Sequence, residues 1–215
     1  MLLKNENDAS LWADFSTHYN LTPEQLDLFK RYCALLLTMN AQFNLTAITN
    51  VSRIVADHFE DSLAVKDSYD FSHVGMFADI GSGGGFPGLP LKIIYPDISL
   101  MLIEVSAKKR DFLALVAEKL GLSGVFISDL DWRTFLRKTD YPIDLFCARA
   151  SLQPEELVRM FKPDSPYKEA SLLYWASRHW EPSSVVAPFV QQKRCYLIEE
   201  KQRCSILFSK KAKQD

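Results

Sequence analysis

The sequence predicts an α/β fold: a mostly parallel sheet flanked by helices, preceded by a helical extension at the N-terminus. Three observations carry this reading. From Met76 onward, short apolar runs alternate with stretches of helical periodicity. Such alternation closes as a parallel sheet with right-handed crossovers. The first run, Met76–Ile80, leads straight into Gly81-Ser-Gly-Gly-Gly85, a turn holding four of the chain's eight glycines. Before Met76, apolar residues recur only at helical spacing. Residues 1–72 therefore read as a helical unit and 73–215 as the α/β domain, with Tyr69–Gly75 as the junction.

Thr22-Pro-Glu-Gln25 opens a helix. Thr22 caps it, Pro23 fits the first helical position, and Gln25 completes a capping box. Leu26, Phe29, Cys33, Leu36 and Leu37 then follow helical spacing up to about Met39. Ser52 starts a second helix carrying Ile54, Val55, Phe59 and Leu63. Met76–Ile80 is the first strand. A helix over Phe86–Ile94 follows, where Pro87 and Pro90 are tolerable only in the first turn. Leu100–Glu104 is a second strand, and Ala107–Leu120 an amphipathic helix stopped by Gly121. Val125–Ser128 and Ile143–Cys147 are the third and fourth strands. Leu172–Trp175 reads as a fifth, and Tyr196–Glu199 with Cys204–Phe208 as a closing antiparallel hairpin.

Composition narrows the function. Apolar residues make up 47% of the chain, enough for a globular core. No apolar run approaches the roughly eighteen residues of a membrane span, and Met1–Ser10 lacks a signal-peptide core. Net charge is −2, which excludes a whole-molecule polyelectrolyte binder. Charge is uneven, however. Residues 1–75 hold five basic and ten acidic side chains, and residues 192–215 hold seven basic and three acidic. That basic tail either meets phosphate or is a solvated strand and terminus. Cysteines 33, 147, 195 and 204 form no C-x-x-C pair, so free thiols in a reducing cytosol are expected. Histidines 18, 58, 73 and 179 are scattered, and no metal site is expected.

Two cofactors compete for the glycine turn. Gly83-Gly-Gly85-Phe-Pro-Gly88 matches the dinucleotide pattern G-x-G-x-x-G. Pro87, however, removes an amide from the turn that would face a pyrophosphate. S-adenosylmethionine has no phosphate; it carries a sulfonium, an ammonium and a carboxylate. The register Asp79-x-Gly81-x-Gly83-x-Gly85 places an acid just before the turn. Glu104, ending the second strand, would take ribose hydroxyls with either cofactor. Acids ending both strands favour S-adenosylmethionine. The structural alternatives are a cap for Asp79 and a solvent-facing strand end for Glu104.

Asp79-Ile-Gly-Ser-Gly-Gly-Gly-Phe-Pro-Gly-Leu-Pro-Leu91 resembles the cofactor loop of the bacterial 16S ribosomal RNA guanine-N7 methyltransferases, also called the glucose-inhibited division protein B family. Phe43-Asn-Leu-Thr-Ala-Ile48, His58-x-x-Asp61-Ser-Leu63, Lys108-Lys109-x-x-Phe112-Leu113 and Arg149-Ala150 resemble further segments of that family. The likeness covers roughly residues 20–152. It implies a class I S-adenosylmethionine-dependent methyltransferase: a Rossmann-like, mostly parallel sheet flanked by helices, with an N-terminal helical extension. It implies methylation of N7 of guanine 527, in the 530 loop of 16S ribosomal RNA. The expected partner is that RNA, in the small ribosomal subunit or its precursor. The expected protein is a cytoplasmic monomer without a membrane.

The family's cofactor contacts fall on Gly81, Phe86 and Arg149. They also fall on a dipeptide after the third strand, here Trp132-Arg133, where an acid is usual. Trp132 would stack on the adenine, or Asp129 or Asp131 would substitute after a small register shift. Arg149 binds the cofactor or an RNA phosphate, or forms a salt bridge to Asp79 or Asp144. Lys108, Lys109 and Arg110 are candidate contacts to RNA backbone, or the charged first turn of a surface helix. His58 and Asp61, three apart on one helix face, would bind substrate or fix the helical unit on the cofactor domain.

Guanine N7 has a lone pair and no proton to lose, so no general base and no catalytic side chain is expected. The chain also lacks the Asn/Asp-Pro-Pro-aromatic motif of exocyclic-amine methyltransferases, and Cys147 reads as a buried thiol inside a strand. A second reading, suggested by Trp132-Arg133, is an RNA- or ribosome-binding protein that kept the fold and lost activity.

Overall fold

A computed structural model describes residues 6–43 and 45–210. Asn44 of the Phe43–Ile48 segment, and Lys211 and Lys213 of the basic tail, lie outside the described residues.

The chain opens with α1 (Glu6–Tyr19) and α2 (Pro23–Phe43). The capping box forms as expected. The Thr22 amide donates to Gln25 Oε1 at 3.0 Å, and the Gln25 amide to Thr22 Oγ1 at 3.2 Å. The next helix is broken into α3 (Val51–Ile54), a π-helical stretch Val55–Glu60, and α4 (Asp61–Leu63). Its cap is Asn50 rather than the region of Ser52, because the Asn50 side chain accepts the Arg53 amide. The π stretch is invisible to a 3.6-residue period, which it interrupts.

Seven strands follow: β1 (Met76–Ile80), β2 (Ser99–Ile103), β3 (Val125–Ser128), β4 (Leu145–Arg149), β5 (Ser171–Ser177), β6 (Val190–Ile198) and β7 (Lys201–Phe208). Their order is β3-β2-β1-β4-β5-β7-β6. The first five are parallel, and β7 runs antiparallel to both β5 and β6. Chain order reverses between β1 and β4. A crevice opens beyond the carboxyl ends of strands at such a point. Helices α5 (Gly88–Ile94), α6 (Ala107–Leu120), α7 (Trp132–Lys138) and α8 (Pro154–Leu157) cover the faces.

All five residues of β1 are buried, as a central strand covered on both faces requires. Phe77 belongs to one core, with Leu100 and Leu102 of β2 and Phe15, Phe29, Tyr32 and Phe59 of the N-terminal helices. Ala78 and Ile80 belong to the other, with Trp132, Phe135 and Phe146. The N-terminal helices thus form one side of the sheet's own core. Among the described residues no helix is long and apolar enough to cross a membrane.

Three expectations need correction. The helix expected from Phe86 begins at Gly88, because residues 83–87 are still part of the turn. The fourth strand begins at Leu145, because the Asp144 carboxylate takes the Gly75 and Met76 amides at 2.8 and 3.1 Å. Trp132-Arg133 does follow the third strand, and opens helix α7, an element not expected from the sequence; Asp131 caps it by accepting the Thr134 amide at 3.0 Å. Finally, Cys195 and Cys204 are joined in a disulfide. The antiparallel register of β6 and β7 sets them directly opposite, a proximity that their spacing along the chain does not reveal. Cys33 and Cys147 are buried and outside any disulfide.

Candidate functional site

The glycine turn sits where β1 ends. The amides of Gly81 and Ser82 donate to the Ile103 carbonyl at 2.8 and 3.2 Å, which bends the chain back over β2. Gly81, Gly83 and Gly85 have φ of 70°, 58° and 96°, the left-handed region that a Cβ disfavours. A Cβ on Gly81 would lie 2.6 Å from the Ser151 Cβ.

Three side chains hold the loop. The Gly83 amide donates to Glu104 Oε2 at 2.9 Å, the Gly88 amide to Asp79 Oδ2 at 3.0 Å, and the Tyr32 hydroxyl to the Gly84 carbonyl. Glu104 is therefore no solvent-facing strand end. It is buried, and its Oε1 also accepts the Ser106 amide at 2.9 Å. Asp79 lies fully buried behind the loop, lines neither cavity described below, and acts as a cap for α5. Burial pushes its carboxyl up to about 7, against the pull of the Gly88 amide and Arg149 and with a further push from Glu104.

Two cavities flank the loop. The first, about 380 Å³, is lined by Glu104, Asp131, Trp132 and Ser151 among others. The second, about 510 Å³, is lined by Thr46, Arg53, His58, Phe86, Arg149 and Lys201 among others. Gly81, Lys109 and Ala150 line both. Ala150 has φ of 52°, a strained conformation for a residue with a Cβ, of the kind that clusters at functional sites. The turn there sends Arg149 to the second cavity and Ser151 to the first. Ser151 Oγ is buried with no hydrogen-bond partner among the described residues.

The second cavity is walled by a charge cluster. Arg149 Nη1 donates to the Asp57 carbonyl at 2.8 Å and to Asp61 Oδ2 at 2.9 Å, and Nη2 to His58 Nδ1 at 3.1 Å. The expected alternatives, Asp79 and Asp144, do not pair with it. In the widened π turn, the Asp57 carbonyl is free to accept from Arg149. An arginine can only donate, so His58 Nδ1 is an acceptor and the ring proton sits on Nε2, which meets Thr46 Oγ1 at 3.0 Å. The imidazole stacks on Phe86 at 4.3 Å, and Phe86 on Tyr32 at 5.4 Å.

Asp57 contacts Arg53, Lys201 at 3.0 Å and Arg203 at 3.2 Å. Burial pushes its carboxyl up, but hydrogen bonds from Lys201 and Arg53 outweigh this and hold it below the usual range. Asp61 takes Arg149, Arg203 at 3.0 Å, and the Tyr196 hydroxyl at 2.8 Å. Two carboxylates thus face four cations. Lys109 adds a fifth, with no ion-pair partner among the described residues.

Burial and the nearby Arg149 charge push His58 down to about 4. Below its ordinary value of 6.5, the unfolded chain binds a proton that the folded protein refuses. Stability from this group is therefore complete above pH 6.5 and lost as pH falls toward 4, by up to about 1.4 kcal/mol per pH unit. Asp79 acts oppositely, favouring the folded state more as pH falls from 7 toward 4. Comparison with His58→Asn isolates the histidine. Urea unfolding near pH 7, 6 and 5 should show the acid-side loss reduced in the variant, and equal slopes would clear His58 of it.

The remaining candidates separate. Trp132 lines the first cavity as a fixed wall: its Nε1 donates to the Glu156 carbonyl at 2.9 Å, and its ring packs edge-on against Phe146. Arg133 turns away and pairs with both Glu156 carboxylate oxygens at 2.8 Å. Of the two acids weighed as substitutes, Asp131 lines the cavity and Asp129 does not. Lys108 is exposed, and Arg110 braces the end of β2 through the Glu104 and Val105 carbonyls at 3.1 and 2.6 Å. Of that trio only Lys109 reaches the cavities. Lys201, Arg203 and Tyr196 were not singled out from sequence. Their signal was the excess of basic residues in the tail, which points to no particular atom.

The strand order, a glycine turn after β1 and a buried acid after β2 define a class I S-adenosylmethionine-dependent methyltransferase fold with an N-terminal helical extension. A solved S-adenosylmethionine-dependent methyltransferase from Aquifex aeolicus shares this fold, with a TM-score of 0.53 and 14% identity over 77% of this chain and 97% of that one. Residues 25–181 match the model of the rRNA small subunit methyltransferase G family, and the chain belongs to that family. It is 37% identical over 134 residues to the ribosomal RNA small subunit methyltransferase G of Halalkalibacterium halodurans, covering 61% of this chain and 56% of the relative. It is 35% identical over 147 residues to the protein of the same description from Aster yellows witches'-broom phytoplasma, covering 67% and 68%.

Proposed function

We propose that the protein transfers a methyl group from S-adenosylmethionine to N7 of a guanine in 16S ribosomal RNA, at guanine 527. The observation that carries this is the meeting of two cavities at Gly81, Lys109 and Ala150. One cavity has the acids and bare backbone suited to the cofactor, and the other the cations suited to a nucleotide.

The first cavity fits the cofactor on two counts: its Gly81 wall leaves no room for a Cβ, and Ser151 Oγ is an unclaimed donor. Glu104 would accept ribose hydroxyls with lone pairs that the Gly83 and Ser106 amides leave unused. Gly81, Asp131 and Trp132 would form the rest of the wall. Asp79, Gly83 and Gly85 shape the loop from behind. Bound there, S-adenosylmethionine supplies an electrophilic methyl group.

In the second cavity, the neutral His58, backed by Phe86, would offer a flat ring to a base. Arg149 shares the Asp61 carboxylate with Arg203, which softens but does not cancel its opposition to positive charge growing on the purine. Lys109, Lys201 and Arg203 would hold phosphate. No side chain is asked to remove a proton. The task is alignment, and proximity with orientation is worth about 7–11 kcal/mol. The protein would act as a cytoplasmic monomer on the small ribosomal subunit or its precursor.

A tritium-transfer assay on 30S subunits, free 16S RNA and 70S ribosomes from a strain lacking the modification tests the proposal. Label at a single guanine N7, located by borohydride–aniline cleavage, is the expected result. No label on any of the three would overturn it in favour of a binding protein that kept the fold. Glu104→Ala should weaken S-adenosylmethionine binding at least tenfold by calorimetry, about 1.4 kcal/mol or more. Unchanged affinity would remove Glu104 from the cofactor site.

A further inference from the structure

The largest cavity described lies outside this site. It measures about 740 Å³ and sits between α7 and the segment 159–166. Five cations line it, Arg133, Arg137, Lys138, Arg159 and Lys162, against two acids, Asp140 and Asp164.

The pairing within this group is uneven. Glu156 takes Arg133 through both oxygens at 2.8 Å and Arg159 at 3.6 Å. Arg137, Lys138 and Lys162 are exposed, and among the described residues none has a carboxylate within ion-pair distance. Three unmatched cations on one concave surface stand out in a chain whose net charge is −2. The Ser165 hydroxyl shares the wall, the Thr139 hydroxyl is taken by the Phe135 carbonyl and Tyr167, and among the described residues no aromatic ring lines it. A surface that stacks bases needs aromatic rings, whereas one that grips phosphate needs cations and small donors.

Helix α7 links this cavity to the cofactor cavity. It begins at Trp132 in the wall of the cofactor cavity and ends at Lys138 in the wall of this one. Its seven residues span about 10 Å, the rise of a few nucleotides along one strand at roughly 3.4 Å each.

We propose that this cavity is a second RNA contact, gripping the phosphodiester backbone of the ribosomal RNA at a distance from the target base. It rests on the RNA substrate proposed above. Each unmatched cation contributes to affinity and to its salt dependence, and none contributes to base choice.

The test is the triple variant Arg137→Glu, Lys138→Glu, Lys162→Glu in the full chain. Its positions are exposed, and an unchanged melting temperature would verify folding. Filter binding to 16S RNA and to 30S subunits across a salt series is compared with calorimetric titration of S-adenosylmethionine. RNA affinity should fall about tenfold or more, and the slope of log K against log salt should flatten by roughly two to three. Cofactor affinity should be unchanged. In the transfer assay KM should rise, with kcat held at saturating RNA. Wild-type methylation with unaltered RNA affinity and slope in the variant would overturn this site and leave the methyltransferase reading intact. Lost 30S binding with unchanged binding to naked RNA would overturn it in favour of a protein contact. A wild type that neither binds nor methylates the RNA would overturn both.

Discussion

Asp61→Ala should lower the unfolding free energy by about 3–5 kcal/mol, the cost of removing one partner from a buried ion pair. The Asp61 side chain is fully buried and holds three elements together. Its Oδ2 accepts from Arg149 at the end of β4 and from Arg203 of β7, and its Oδ1 accepts from Tyr196 of β6. Burial and the Asp61 charge push the Tyr196 hydroxyl far above its usual range, so it remains a donor. Without the carboxylate, the Arg149 side chain, only 13% exposed, keeps its charge with little water to replace the lost partner. Against a typical total of about 5–15 kcal/mol, the loss is large. Guanidinium unfolding measures it as a lower midpoint at unchanged m. Asp61→Leu combined with Arg203→Met should cost less than the sum of the two changes, since the pair couples. A loss below about 1 kcal/mol in Asp61→Ala would show that the cluster does not hold the helical extension to the sheet.

Gly85→Ala is expected to cost about 2–5 kcal/mol and to abolish cofactor binding. Its φ of 96° alone charges an L-residue roughly 1–2 kcal/mol. The added methyl would then lie 2.5 Å from Leu89 Cδ1 and from the Tyr32 hydroxyl, and overpacking of this kind costs about 1–3 kcal/mol. Neither neighbour can yield easily, because both are fully buried and Tyr32 is tied to the Gly84 carbonyl. Gly121→Ala is the matched control. It has φ of 66° with nothing within 4 Å of the new carbon, so it should lose only the backbone part. Thermal unfolding of the two variants, with calorimetric titration of S-adenosylmethionine, separates strain from collision. Equal losses would remove the collision.

The capping box of Thr22 and Gln25, the strand Met76–Ile80 and the helix Ala107–Leu120 form as their sequences predict. Each depends on neighbours a few residues away, so composition and period suffice. The glycine turn was legible for the same reason: Asp79, Gly81 and Gly85 meet within ten positions of chain. Glu104 was legible in part. Its place at a strand end follows from the pattern, but its anchorage by the Gly83 amide does not.

Other parts of the site had no local signature. The π stretch Val55–Glu60 leaves the Asp57 carbonyl free to accept from Arg149, yet an extra residue in one turn leaves no trace in an apolar pattern. Arg133, adjacent to Trp132 in sequence, faces a different cavity because successive residues of a helix point about 100° apart.

By itself the sequence determined the α/β alternation, the glycine turn with its flanking acids, and the family. The first two follow from backbone preferences and burial period, which act over one turn or one strand, and the family from the likeness of the Asp79–Leu91 motif to known members. Only the tertiary structure decided that Asp61 pairs with Arg149 and Arg203, that Lys201 reaches Asp57, and that Cys195 meets Cys204. The ion pairs join residues 88 to 144 positions apart in the chain, and the disulfide follows the register of β6 on β7. Charges paired inside a folded interior interact far more strongly than in water, and no run of sequence shows which of them the fold will bring together.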